Sequence, residues 1–104
     1  MTDSRQKGKE GERELGHEFD RLGLQYIREQ DGRQQGSDFL VERLYVVECR
    51  RRENLSLSAW HKAHEAKTPA IFVPVIAYRR SREPWRCSMK LDDWAAMALA
   101  LVAA

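Results

Sequence analysis

The stretch Ala70–Tyr78 constrains the fold more than any other part of this chain. It is almost entirely apolar, and a strand of this kind has to be covered on both of its faces. The chain has only 104 residues, 33% of them charged, so every apolar segment must contribute to one small core. Pro74 cannot donate to a strand ladder, which predicts a bulge or a sheet edge there. The sequence therefore predicts a single α/β domain with helices on both faces of a sheet.

The hydrophobic periodicity predicts the element order α-β-β-β-α-β-β-α around a mixed five-stranded sheet. Leu15, Phe19 and Leu22 recur at helical spacing, and Gly23 is a helix stop. We expect residues 1–6 to form a flexible N-terminus and residues 7–104 to form the domain. The predicted helices are 9–22, 58–67 and a last one from Asp92 or Asp93, and the predicted strands are 25–29, 37–41, 44–50, 70–78 and 85–90.

The charged residues are informative through their distribution, because the net charge is only +2. Arginine clusters at Arg50–Arg52 and at Arg79–Arg82, and its planar guanidinium suits phosphate oxygens. Composition alone equally allows solvated strand ends. The cysteines, Cys49 and Cys87, are too few for a disulfide framework or a four-cysteine zinc site. Reduced thiols predict an intracellular, cytoplasmic protein.

The chain ends predict no membrane partner. The N-terminus lacks the apolar core of a signal peptide. The C-terminal segment Trp94–Ala104 is apolar but about half as long as a membrane-spanning helix needs to be. It has little polar face, so either the protein's own core or a dimer interface must cover it.

The chemically informative feature is a pair of acids on adjacent predicted strands. Asp38 follows Gly36-Ser37 near the start of one strand, and Glu48 comes ten residues later near the end of the next. If the strands pair as a hairpin, closed by Glu42-Arg43, the two carboxylates lie side by side. Arg50 shares a face with Glu48, whereas Arg51 points to the opposite face. The spacing thus predicts two carboxylates and a cation at one edge of the sheet.

Two carboxylates this close favour a cation between them. Oxygen-only ligands suit Mg²⁺, with Mn²⁺ as a substitute. Such an ion polarises a phosphodiester and activates water near neutral pH, and the neighbouring cation stabilises charge on the phosphate. Each acid taken alone is more often a surface salt-bridge partner.

The ordered motifs resemble the PD-(D/E)XK nuclease superfamily, and most closely the archaeal-type Holliday junction resolvases and their phage relatives. The segment Lys7–Leu15 resembles the family's opening helix, Tyr26–Arg28 its strand before the catalytic aspartate, and Glu48-Cys49-Arg50 its Glu-X-Lys element. The resemblance implies a three-layer restriction-endonuclease-like fold. It also implies a metal site with the ligands Glu12, Asp38, Glu48 and the Cys49 backbone carbonyl.

The resemblance further implies a DNA-binding surface, with Arg28 contacting DNA. Arg51 and Arg52 leave the acidic edge and are placed to follow the phosphate backbone. No base-reading module is visible, so recognition of DNA shape and backbone is expected. The predicted DNA-binding residues are Lys7, Lys9, Arg13, Arg28, Arg33, Arg51 and Arg52.

The predicted function is metal-dependent hydrolysis of phosphodiesters in branched DNA, with Glu12, Asp38, Glu48 and Arg50 as the catalytic set. A four-way junction is roughly two-fold symmetric, so a homodimer is expected. One departure from the family opens an alternative. Arg50 stands where the family has lysine, and arginine cannot exchange a proton near neutral pH. A non-catalytic or weakly active DNA-binding protein, or a nuclease with another DNA substrate, therefore stays open.

Three other side chains are candidates for ligand binding. His61 and His64 have a spacing that can hold zinc, but no third ligand is evident, so surface histidines are expected. Trp60 lies beside polar residues, and both base stacking and packing are open to it.

Overall fold

The computed structural model describes residues 4–28 and 38–104, and of residues 4–7 it describes the backbone only. The element order is the predicted one, α-β-β-β-α-β-β-α. The elements are α1 (Ser4–Leu22), β1 (Tyr26–Arg28), β2 (Phe39–Val41), β3 (Tyr45–Arg51), α2 (Leu57–Lys67), β4 (Val73–Arg79), β5 (Arg86–Ser88) and α3 (Leu91–Ala103).

The strands form one mixed sheet in the order β1-β2-β3-β4-β5. Strands β3 and β4 are parallel, and the other neighbouring pairs are antiparallel. A parallel pair needs a crossover connection, and α2 supplies it. The register opposes Phe39 to Val47, which brings the start of β2 beside the middle of β3. The predicted mixed five-stranded sheet is confirmed.

Side-chain alternation along the strands creates two cores. On one face Phe39, Val47 and Val75 pack with Leu15 and Phe19 of α1 in a single buried cluster. On the other face Val46 and Ile76 are buried, and the His64 Nε2 of α2 lies 2.8 Å from the Val46 carbonyl oxygen. Helices on both faces of the sheet give the predicted three-layer arrangement.

The apolar strand β4 tolerates Pro74 without a bulge. Its register with β3 is continuous, and Pro74 lies opposite Val46. On its other side β5 pairs only with residues 76–78, so Pro74 lies where that side of β4 is unpaired. The missing N–H is therefore not needed in the ladder. The predicted bulge is wrong, and the predicted edge is present locally.

The start of α1 differs from expectation, whereas the β2–β3 turn lies at Glu42-Arg43 as predicted. Helix α1 begins at Ser4 rather than at residue 9, so residues 4–6 extend the helix instead of belonging to a flexible N-terminus. Arginine, glutamine and lysine are good helix formers, which accounts for the longer helix. The β2–β3 turn places Glu42 and Arg43 at φ values of 51° and 59°. The Glu42 carboxylate supports this left-handed backbone by accepting the Gln25 N–H at 2.7 Å.

Helix α3 packs differently from the other two helices, because none of its residues is buried. Ala95 and Ala98 are half-buried, so the two predicted ways of covering this helix, by the protein's own core or by a dimer interface, both stay predictions. Within the described chain, no helix is both long and apolar enough to cross a membrane.

Candidate metal centre

A close approach between α1 and β3 sets the position of the first acid. A Cβ atom built on Gly11 would lie 3.1 Å from the Arg51 Cβ and 3.6 Å from the Cys49 Sγ. The helix therefore lies almost against the strand at this point, and only glycine fits there without a shift. The next residue is Glu12, so the close approach places Glu12 over β3. Gly11 belongs to the segment that resembles the family's opening helix, but the sequence did not predict that Gly11 packs against β3.

Backbone hydrogen bonds fix Asp38 just before β2. Its N–H donates to the Val47 carbonyl at 3.1 Å, and its Oδ2 accepts the Cys49 N–H at 2.7 Å. Since both partners are main-chain atoms of β3, the carboxylate is held in one orientation. Asp38 also lies next to Glu48 in the β2–β3 register, as the hairpin argument predicts.

The electrostatics show that Asp38 lies close to both of the other acids, Glu12 and Glu48. The pKa of Asp38 is raised to about 7 from an ordinary value of 3.8. Burial is the largest cause, the hydrogen bond from the Cys49 N–H opposes it, and Glu12 and then Glu48 add to it. Carboxylates crowded in this way resist simultaneous ionisation. Near neutral pH, where an ordinary carboxylate is fully ionised, this cluster therefore needs a positive charge to ionise completely.

Two arginines partly compensate the cluster. Arg28 Nη2 donates to Glu12 Oε2 at 2.9 Å, and Arg50 Nη2 donates to Glu48 Oε1 at 3.1 Å. The second oxygen of Glu48, Oε2, is buried and has no hydrogen-bond partner within the described part of the chain. A buried carboxylate oxygen without a donor is an available ligand for a cation.

The residues present fit a hard divalent cation held by few protein ligands. In the described ranges no group of three His, Cys, Asp or Glu side chains is placed to hold a metal ion. Magnesium, however, is commonly held by one or two carboxylates and keeps several waters. Asp38 and the open oxygen of Glu48 match that requirement, while Glu12 is engaged with Arg28.

The Cys49 thiol does not belong to this donor set. It lies on the α1 side of β3, next to Gly11. Burial, followed by the negative charge of Asp38 and Glu12, raises the pKa of the thiol well above its usual range. A thiol in this state is protonated and a poor nucleophile or ligand. Only its backbone carbonyl remains a predicted ligand.

The predicted DNA-binding residues fall into different environments. Lys9, Arg13 and Arg28 line, with Glu10, an open cleft of about 310 Å³. Arg51 instead pairs with Glu14 of α1, at 3.2 Å. The remaining predictions are distributed as follows: Arg52 Nη1 donates to the Arg51 carbonyl at 3.1 Å, and Arg33 and the Lys7 side chain lie outside the described residues.

The two helix-borne histidines are not a zinc site. His64 is only 2% exposed, so the expectation of a surface histidine is wrong for this residue. His61 instead bridges α2 to β5, with Nδ1 at 3.1 Å from Glu65 Oε2 and Nε2 at 2.5 Å from Ser88 Oγ. The two rings thus have separate partners on different strands.

Trp60 lies against the guanidinium of Arg50, with the Arg50 Cζ 5.5 Å from the ring centroid. This contact was not foreseen, because the residues are on different elements and ten positions apart. The alternation of β3 does put Arg50 on the α2 face. That face was predictable, but the rotation of α2 that presents Trp60 was not.

No protein-family model matches the chain, and no curated protein matches it. A solved structure does. The fold resembles that of an archaeal Holliday junction resolvase. The matching protein is Hjc of Archaeoglobus fulgidus, with a TM-score of 0.55, 20% sequence identity and coverage of 80% of this chain and 72% of that one. Hjc is a Holliday junction resolvase, and at this identity the likeness establishes a shared fold.

Proposed function

We propose that this protein is a metal-dependent endonuclease that hydrolyses phosphodiesters in branched DNA, with the four-way junction as its main substrate. The observation that carries the proposal is the fixed Asp38 carboxylate, which faces Glu12 and Glu48 and whose pKa is raised to about 7. A binding fold without chemistry has no need to crowd three acids at one sheet edge. The likeness to a resolvase fold supports the same interpretation.

Asp38 and Glu48 are the proposed metal ligands, assisted by Glu12 and the Cys49 carbonyl. The Cys49 N–H holds Asp38 Oδ2, and Arg50 holds Glu48 Oε1. Glu48 Oε2, which has no hydrogen-bond partner among the described residues, is then the oxygen open to an ion. When bound, Mg²⁺ or Mn²⁺ supplies Lewis acidity and a water of lowered pKa. Arg28 orients Glu12 towards the cluster through their 2.9 Å hydrogen bond.

Arg50 and the basic cleft are the proposed phosphate-binding groups. Arg50 combines a fixed position with a permanent positive charge, so it stabilises charge on the phosphate without exchanging a proton. Lys9, Arg13 and Arg28 extend the positive surface along α1 and β1. Arg33, Arg52 and Lys7 remain predicted contacts, and Arg51 has to leave Glu14 to act as one.

A homodimer is proposed, with α3 as the interface. Leu91, Trp94 and Leu101 recur at helical spacing and are 73%, 53% and 72% exposed. Monomeric proteins rarely expose an apolar patch of this kind. A second copy of the same helix offers a matching apolar surface, and a two-fold axis between the copies gives the two active sites that a symmetric junction needs.

The proposal is tested by cleavage of a synthetic four-way junction in Mg²⁺, with linear duplex, flap and single-stranded DNA in parallel. We expect junction cleavage to fall more than about 100-fold in Asp38→Asn, because a ligand oxygen is worth more than an outer-shell contact. Asp20→Asn is the matched control. It keeps the oxygen that accepts the Tyr26 hydroxyl at 3.0 Å and lies away from the acids.

Equal cleavage by wild type and Asp38→Asn contradicts the enzyme proposal. The alternative of a DNA-binding protein without activity rests on Arg50 in the place of a lysine. It predicts salt-dependent junction binding, no cleavage by the wild type and a gain of cleavage in Arg50→Lys. Preference for linear or flap DNA over the junction supports a nuclease with a different DNA substrate.

The dimer is tested by sedimentation velocity of the wild type and of Leu101→Glu. The wild type is expected at twice the chain mass of 12.1 kDa, and the variant at the monomer mass, because a charge at an apolar interface is costly. Lys62→Glu, on the exposed side of α2, controls for added negative charge. A monomeric wild type at micromolar concentration contradicts the interface.

A further inference from the structure

The guanidinium of Arg50 is held by two side chains from different elements. Glu48, two residues earlier on β3, accepts its Nη2–H at 3.1 Å. Trp60, on α2, places its ring 5.5 Å from the Arg50 Cζ. Tryptophan is the best ring for this interaction, and the planar guanidinium stacks on it as a lysine ammonium cannot. The cation is therefore fixed in position by an acid and by an aromatic face.

In this arrangement one nitrogen of the guanidinium has no hydrogen-bond partner among the described residues. Arg50 Nε is buried and has no hydrogen-bond partner within residues 4–28 and 38–104. Its side chain is still 29% exposed, so solvent or a ligand reaches one side of the group. A buried donor without an acceptor is costly. A phosphate oxygen arriving at the Glu48 edge can reach the exposed part of the guanidinium.

An arginine at this position depends on the orientation of its head group in a way that a lysine does not. Its guanidinium is planar and presents its donors in fixed directions, whereas a lysine ammonium rotates freely. The bond to Glu48 alone fixes only one nitrogen and allows the plane to rotate about it. Contact with the indole restricts that rotation. The Trp60 ring therefore determines which donors of Arg50 are presented beside the acids.

We propose that Trp60 is a positioning residue that enables Arg50 to serve in the place of the family lysine. The inference rests on the proposed function, since it concerns the phosphate that the active site would bind. Trp60 acts through Arg50 and does not touch the substrate. The indole face that Arg50 covers is then not available for stacking on DNA bases.

The test is a double-mutant cycle read by single-turnover junction cleavage in Mg²⁺, with enzyme in excess. Trp60→Leu removes the aromatic face and keeps apolar bulk, and Trp60→Phe keeps a weaker face. We expect Trp60→Leu to lower the cleavage rate about tenfold and Trp60→Phe to lower it less than about threefold. In the Arg50→Ala background Trp60→Leu should have no further effect, because the interaction is already absent. Lys62→Leu, on the same helix, is the control.

A second measurement separates this inference from the proposed function. The ¹⁵N–¹H resonance of Arg50 Nε, assigned by its loss in Arg50→Lys, reports the guanidinium position without any need for activity. The indole ring should shift this resonance, and Trp60→Leu should return it to the position of a free arginine. If the wild type cleaves no DNA, the proposed function fails while this shift still confirms the positioning.

Two outcomes overturn the inference. One is a loss of rate from Trp60→Leu that is equally large with Arg50 intact and in the Arg50→Ala background, which a merely structural tryptophan would give. The other is an Arg50 Nε resonance that does not move when the ring is removed. Thermal unfolding of each variant, followed by circular dichroism, confirms that the rates compare folded proteins.

Discussion

Helices α1 and α3 differ in burial, and the difference is the opposite of what their compositions suggest. Helix α1 is rich in charged residues, yet Leu15 and Phe19 are only 2% and 6% exposed. Helix α3 is apolar on most of its surface and buries none of its residues. The first has few apolar side chains, but Leu15 and Phe19 pack in the core against the sheet. An apolar composition therefore indicates that a helix needs a packing partner. Whether the same chain supplies that partner depends on where the sheet lies.

The largest expected effect compares one leucine from each helix. Leu15→Ala should lower the free energy of unfolding by about 2–5 kcal/mol, because it opens a cavity in the core. Leu101→Ala, at a site 72% exposed, should change the stability of the monomer by less than about 0.5 kcal/mol. Urea unfolding at low protein concentration measures both.

The stability of Leu101→Ala also tests the dimer proposal when it is measured at several protein concentrations. The wild type should gain stability with concentration, and Leu101→Ala should gain less. A large loss in Leu101→Ala that is independent of concentration would mean that α3 packs within its own chain.

The next effect concerns the pKa of Asp38. The pKa of Asp38 in the folded protein is about 7, above its ordinary value of 3.8, so the folded state binds this proton more tightly than the unfolded state does. Stability from this group is therefore complete below about pH 4 and is lost as the pH rises towards 7. We expect metal-free wild type to lose about 2 kcal/mol over this range.

Unfolding in EDTA at about pH 5 and about pH 8 measures this loss, and Asp38→Asn should abolish most of it. Mg²⁺ added at the higher pH should restore stability in the wild type and not in Asp38→Asn, since a bound ion stabilises only the state that binds it. A metal-free wild type that becomes steadily more stable up to the higher pH would contradict the crowded-acid interpretation.

A smaller effect compares two glycines on α1. Gly8→Ala has nothing within 4 Å of the new Cβ and should stabilise the helix by about 0.5–1 kcal/mol. Gly11→Ala gains the same helix propensity but meets the Arg51 Cβ at 3.1 Å. Its net effect on stability should be smaller, and it should slow junction cleavage because Glu12 moves with the helix. Identical behaviour of the two variants would show that the α1–β3 approach does not position the site.

The smallest effect concerns the start of α3. Lys90 is its N-cap residue and makes no side-chain capping hydrogen bond. Lys90→Ser should stabilise the first turn by about 0.5–1 kcal/mol. Because α3 has no fully buried residue, the gain should appear as slower amide exchange within α3, with little change in global unfolding. A matching rise in global stability would show that α3 folds together with the sheet.

The sequence predicted the parts of the molecule that depend on local pattern. The period of two in β3 put Glu48 and Arg50 on one face, and the short hairpin put Asp38 beside Glu48. The nearly continuous apolar run of β4 predicted a strand between two helical layers. Each of these follows from residues close to one another in the chain.

The rest depended on how separate elements meet. His64 has the polarity of a surface residue, and its burial follows from the rotation of α2 over Val46. The contact between Trp60 and Arg50 follows from the same rotation. Helix α3 has the composition of a core helix, yet none of its residues is fully buried. A single sequence does not contain these relative orientations in any local pattern.

The left-handed turn at Glu42 and Arg43 offers a practical handle on this protein. It closes the β2–β3 hairpin at the end away from Asp38 and Glu48, and both of its residues are exposed. A fluorophore carried there would report the approach of labelled DNA by energy transfer while the acids stay unmodified. A glycine in the place of Arg43 would suit the left-handed backbone better than the native residue does and would leave the Glu42 carboxylate on the Gln25 N–H. The turn is thus a place where the protein can be tagged and its scaffold improved independently of its chemistry.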